Sequence, residues 1–111
     1  MHDLDVQDLH AFVQAATATP LLLDVREPWE FALASITLDG AADTVNLPLQ
    51  SLPQRLAELP KDRAIVCICH HGMRSAQAAG YLRQAGFQAV HNLRGGIDAW
   101  SLQVDPGVPR Y

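Results

Sequence analysis

The stretch Ala64 to Ala79, AIVCICHHGMRSAQAA, constrains the fold of this chain most. Ile65, Val66, Cys67 and Ile68 form a short apolar run without polar alternation, the pattern of a strand buried on both faces. The run ends at Cys69, crosses a short glycine-containing loop and enters an alanine-rich segment where Ala76, Ala79, Leu82 and Arg83 take helical spacing. A strand covered on both faces needs helices on both sides of its sheet. Leu21 to Val25 is a second continuous apolar run closed by charge, again suited to a buried parallel strand. Strands alternating with helices predict an α/β fold of three layers, with a central, mainly parallel sheet flanked by helices on both faces.

The remaining elements follow from local signals. Asp5-Val6-Gln7-Asp8 reads as a helix start with Asp5 as N-cap, followed by an apolar face of Leu9, Phe12 and Val13 that ends before Pro20. Glu27-Pro28 opens a short helix through Leu33, and Thr44 to Leu47 reads as a brief strand ended by Pro48. Leu52 to Leu59 reads as a helix with Pro53 in its first turn. Gly86 caps the helix after the cysteine loop, Gln88 to Asn92 reads as a last strand, and Gly95-Gly96 opens a last helix. The expectation is one domain over 1–111, with 103–111 as an extended tail that carries no chemistry.

The chemistry concentrates after the strand ends. In an open α/β sheet ligands collect at the carboxyl ends of strands, where Cys69, Asp24 to Arg26 and Asn92 to Arg94 fall. Cys69 sits before a helix start, a position that favours a reactive thiolate, and the loop amides of Cys69-His70-His71-Gly72-Met73-Arg74 are expected to form an anion-binding nest around the sulfur. Gly72 supplies the dihedrals such a loop needs. Arg74, a cation at the unfavourable end of a helix dipole, points to an anionic ligand, and Arg94 is a candidate to reach the same mouth. Ser75 reads as the N-cap of the helix. His70 and His71 read as polar residues shaping access, with general-base and metal-ligand roles as the other readings. Cys67, in mid-strand, reads as core. Asp24, Arg26 and Glu30 read as structural support, with an Arg26 to Glu30 ion pair bracing the loop. Trp29 and Trp100 read as core or rim packing, His91 as partly buried, and His2 and His10 as surface residues.

Composition excludes several classes. A formal charge of −4 with a single lysine argues against a nucleic-acid surface, and two cysteines one residue apart offer no disulfide framework. Cysteine and histidine are not paired at ligand spacing elsewhere, so no metal is expected. Without a leader-like segment or a membrane-length apolar run, the expectation is a soluble, cytoplasmic protein.

Three motifs in order, LLLDVREPWEF at Leu21 to Phe31, the Cys69 to Arg74 loop, and Gly95-Gly96-Ile97-Asp98-Ala99-Trp100, resemble the rhodanese family of sulfurtransferases over nearly the whole chain. One departure is Ala34-Ser35-Ile36 followed by Thr37 to Thr44, where the family often carries Gly-His-Ile and Pro-Gly-Ala. The resemblance implies transfer of a sulfane sulfur from thiosulfate or a related anion, through a persulfide on Cys69, to a thiol or protein acceptor. His70, His71, Gly72, Met73, Arg74, Ser75 and Arg94 would serve binding. A non-catalytic persulfide carrier and a rhodanese-like binding or regulatory module are the alternatives. Phosphatases and arsenate reductases of the same fold place five residues between cysteine and arginine; here four intervene, a loop sized for sulfur.

Overall fold

The computed structural model describes residues 2–38 and 40–111, and of His2 the backbone alone. The expectations for the His2 side chain, and for Asp39 within the departing segment, fall outside the described residues. Five strands, β1 (His2–Asp5), β2 (Leu21–Asp24), β3 (Asp43–Asn46), β4 (Ile65–Ile68) and β5 (Val90–Arg94), form one sheet in the order β1-β5-β4-β2-β3. Every pairing is parallel.

The two central strands are buried at every residue, and their alternation sorts the core into two layers. Leu21, Leu23, Ile65, Cys67 and Cys69 pack on one face with Ala78, Ala79 and Leu82 of α3 (Met73–Gln84). Leu22, Val66 and Ile68 pack on the other with Leu9 and Val13 of α1 (Leu9–Ala15) and Ile97 and Trp100 of α4 (Gly96–Gln103). The parallel sheet flanked by helices on both faces is the expected architecture.

Local assignments differ at four places. The segment read as a helix start at Asp5 is the end of strand β1, followed by a 3₁₀ turn at Val6–Asp8. HDLD has no strand signature; it becomes a strand because β5 offers a free edge, along which His2 to Asp5 run in register with His91 to Arg94. The last strand accordingly lies two residues later than read. Leu52 to Leu59 is not an α-helix: a 3₁₀ turn at Leu49–Ser51 precedes it and a second one, Pro53–Glu58, fills it. Pro53 has no N–H to give to Leu49, so bonding runs at i−3 instead, as from Leu52 N to Leu49 O and Arg55 N to Leu52 O, both 3.2 Å. Finally, α3 begins at Met73 with Gly72 as N-cap, so Ser75 lies inside the helix rather than capping it. Gly72 holds φ +104°, which glycine alone reaches without strain. Among the described residues no helix is long and apolar enough to cross a membrane.

Candidate active site

Cys69 leaves the carboxyl end of the central strand β4, and its sulfur is turned back into the protein at 1% exposure. Gly72 N–H donates to Sγ at 3.0 Å, and Ser75 Oγ lies 3.3 Å from it. The hydroxyl of buried Ser75 donates to Asn92 Oδ1, while Asn92 Nδ2 donates to Asp3 Oδ1 at 3.3 Å. Because a carboxylate only accepts, Asp3 fixes which way the Asn92 amide faces, leaving Oδ1 for Ser75. A polar line thus runs from Cys69 through α3 and β5 to β1. Asn92 was legible only as a strand-end residue; its link to Ser75 needs the pairing of β4 with β5.

The loop is held from behind by α4. Cys69 O and His70 O accept from Ile97 N at 2.9 Å and Asp98 N at 3.0 Å, which fixes the two peptide planes. This approach explains the glycine pair. Gly96 has φ +60°, and a Cβ there would lie 2.3 Å from Cys69 O and 2.5 Å from His70 O.

The charged residues are paired differently from the reading of the sequence. Arg26 does not pair with the Glu30 carboxylate. It is fully buried against Asp24, and its five N–H groups are all accepted: two by the Asp24 carboxylate, the others by Glu30 O at 3.3 Å, Ala34 O at 2.6 Å and Tyr111 Oη at 2.8 Å. The tightness follows from adjacency at the end of β2, where the Arg26 amide also donates to Asp24 Oδ1. The Glu30 carboxylate instead receives Arg74 through both terminal nitrogens, at 2.7 and 2.9 Å, with Glu27 N–H at 3.1 Å and Tyr111 O–H at 2.8 Å. Glu27 and Glu30 form a capping box at the start of α2 (Pro28–Leu33), which aims Glu30 at the loop. The Arg74 hydrogen bonds, opposed by burial, hold Glu30 down at about 2. Arg74 is therefore at the loop, as expected, but as half of a neutral bidentate pair rather than a free cation. Arg94 is not brought to the loop. It is exposed and paired with Asp5 at 2.6 Å, on the side of β5 away from β4, because β1 occupies that edge.

The rim is aromatic. His70 stacks on His71 at 4.0 Å and on Tyr111 at 4.2 Å, and Trp29 meets the Tyr111 ring edge-on at 6.1 Å. Burial and neighbouring His71 push His70 below its ordinary value. Met73, at 78% exposure, and Trp29, at 64%, stand open on the same side, while Trp100 is core. The tail, expected to be extended and assigned no chemistry, ends here: Ser101 Oγ donates to Val108 O, Arg110 pairs with Asp98 at 3.0 Å, and Tyr111 reaches Arg26 and Glu30. No periodicity marks Tyr111, so nothing in the sequence signals its place at the loop. His70, His71 and Asp98 bring possible metal-ligand atoms within 4.8 Å of one another. Rings stacked at 19° point their in-plane lone pairs along parallel planes, however, and Asp98 is already shared between His71 and Arg110. Two clefts of about 540 and 550 Å³ open elsewhere, one lined by Phe12, Lys61, Arg63 and His91 at the amino ends of the central strands, the other by Leu56 and Phe87. Cys67, 0% exposed in the apolar layer, is pushed up to about 12 by burial and by Cys69.

The arrangement sets a buried sulfur against a backbone amide and a hydroxyl, beside a saturated ion pair and an aromatic rim. A family model described as Rhodanese-like domain matches residues 5–103. A sulfurtransferase of Allochromatium vinosum is 46% identical over 87 residues, covering 78% of this chain and 77% of that protein. A thiosulfate sulfurtransferase, GlpE, of Vibrio cholerae is 33% identical over 97 residues, covering 87% and 85%. The crystal structure of a rhodanese-related protein of Thermoplasma volcanium superposes with a TM-score of 0.81 at 32% identity, covering 100% of both chains. Other relatives are longer, and this chain spans between 20% and 37% of them.

Proposed function

The chain belongs to the rhodanese-like domain family, and from that premise we propose that it transfers a sulfane sulfur through a persulfide on Cys69, with thiosulfate or a related donor as the source. The observation that carries this reading is the Gly72 N–H directed at Cys69 Sγ from 3.0 Å. In the first half-reaction the thiolate attacks the outer sulfur of thiosulfate; the new S–S bond forms as the old one breaks, and sulfite departs with the electron pair. In the second, an acceptor thiolate takes the outer sulfur and Cys69 regains its negative charge. The Gly72 amide stabilises charge on the sulfur at both stages, while Ser75, its proton given to Asn92 Oδ1, turns a hydroxyl oxygen to the sulfur that accepts from the protonated thiol.

Arg74 serves in this scheme as a fixed member of the loop, clamped by Glu30, with His70, His71, Gly72 and Met73 shaping the mouth. The exposed Trp29 and Met73 support an acceptor presented from outside, a protein thiol rather than a small molecule enclosed in a cavity. No cofactor enters the scheme. The chemistry suits a reducing, cytoplasmic setting in which the cysteine stays free.

Intact-protein mass spectrometry after incubation with thiosulfate, with and without reductant, followed by peptide mapping, tests the reading. The expected result is one reductant-labile sulfur on the peptide containing Cys69. An alkylatable Cys69 that gains no sulfur from thiosulfate, yet loads from a desulfurase, would make the protein a persulfide carrier; no loading from either would leave a binding module.

A further inference from the structure

We propose that Tyr111 is a positioning residue for the Cys69 loop, so that the C-terminal segment is a working part of the site. The inference rests on the reading of Cys69 as the sulfur carrier.

Two ion pairs stand beside the loop: buried Asp24 with Arg26, and Glu30 with Arg74. A single hydroxyl joins them. Tyr111 Oη accepts from Arg26 Nη1 and donates to Glu30 Oε2, each at 2.8 Å. The directions are fixed, since a guanidinium can only donate and an ionised carboxylate can only accept. With this bond the Glu30 carboxylate has four donors, from Glu27, Tyr111 and twice from Arg74, matching its acceptor capacity. Tyr111 therefore fixes the carboxylate that clamps Arg74, and Arg74 lies in the first turn of α3, two residues after the Gly72 whose amide faces the sulfur.

The ring does a second job. It covers one face of His70 at an interplanar angle of 12° while His71 covers the other, so the residue following Cys69 is held between two rings. The tail reaches this point by anchored steps, through Val108 to Ser101 and Arg110 to Asp98, and Asp98 is the residue whose N–H holds His70 O. A tail that merely covered apolar surface would have no reason to set a hydroxyl between two ion pairs.

The test compares full-length wild type with Tyr111→Phe, which removes the hydroxyl alone, and Tyr111→Ala, which also removes the ring. Three quantities are read: the single-turnover rate of persulfide formation on Cys69 against thiosulfate concentration, the hydrogen exchange of the Arg74 Nε–H by NMR, and the titration midpoint of His70. Tyr111→Phe is expected to slow loading about tenfold, the loss of one hydrogen bond to a charged group, and to speed Arg74 exchange, with the His70 midpoint unmoved because the ring remains. That unmoved midpoint also shows that the fold is kept. Tyr111→Ala is expected to raise the His70 midpoint in addition, since it uncovers an imidazole that also faces His71, Asp98, Glu30 and Arg74. Wild-type loading and wild-type Arg74 exchange in Tyr111→Phe would overturn the proposal. If wild type itself takes up no sulfur, the persulfide reading fails separately, and Arg74 exchange still decides the positioning role.

Discussion

At the scale of single residues, Cys67 and Cys69 carry the same functional group two positions apart, in β4 and just past its end, on one face of the sheet, yet their surroundings separate them. Cys67 packs in the apolar layer with Leu21, Leu23 and Ala79, and burial, with Cys69 beside it, raises its thiol to about 12, so at neutral pH it stays protonated. Cys69 lies two residues further on, just past the end of β4, where the backbone turns and Gly72 and Ser75 reach its sulfur. Cys69→Ser is therefore expected to abolish persulfide formation. Cys67→Ala should retain most of it while losing roughly 1 kcal/mol of stability from the missing buried sulfur. Peptide mapping and denaturant unfolding of both variants check this; equal loss of loading in the two would reverse the roles. The placement of Cys67 in mid-strand and of Cys69 just past the strand end was legible because position relative to strand and loop is a local property. The partner of Arg26 was not legible, because the choice between Asp24 and Glu30 depends on which carboxylate the Arg74 guanidinium, 44 residues away from Glu30, has already taken.

At the scale of elements, the site is a junction of β4, the start of α3 and the start of α4. The glycines at this junction are packing devices as well as turn formers: a side chain on Gly96 would collide with the two carbonyls through which α4 grips the loop. Gly96→Ala is expected to destabilise the protein by roughly 2–4 kcal/mol, since both the left-handed backbone and the backbone contact must give, and to remove sulfur loading with it. Gly80, in mid-helix with nothing within 4 Å of its absent Cβ, is the contrast: Gly80→Ala should gain about 0.5–1 kcal/mol from helix propensity and leave loading unchanged. Thermal or denaturant unfolding of the pair, with loading measured alongside, checks both. The α-helical starts and stops at Pro28, Gly86 and Gly95 were readable because capping is local. Strand β1 was not readable, since its existence depends on an open edge of β5.

At the scale of the whole molecule, the Glu30 cluster joins α2, α3 and the C-terminal segment, so the fold is coupled to the charge of one carboxylate. Glu30 is lowered from an ordinary 4.5 to about 2, mainly by Arg74. A carboxyl lowered on folding contributes stability that is fully present above its unfolded value and is lost as pH falls through the folded one. The window is thus roughly pH 4.5 down to 2, and the contribution is on the order of 2–3 kcal/mol. Glu30→Gln should lose about that much at pH 7 and show a flatter stability profile in that acid window, measured by unfolding at a series of pH values; parallel profiles would remove Glu30 from this role. The sequence by itself determined the layer order, the buried central strands, the cysteine that ends one of them, and the family, because burial periodicity, capping and motif spacing are written within a few consecutive residues. The partners of Arg74 and Arg94, the pairing of β1 and the arrival of Tyr111 at the loop emerge on folding alone, because each joins groups distant in the chain that closure of the sheet brings within hydrogen-bond reach, and Arg26 is left to its neighbour Asp24 once Arg74 has taken Glu30.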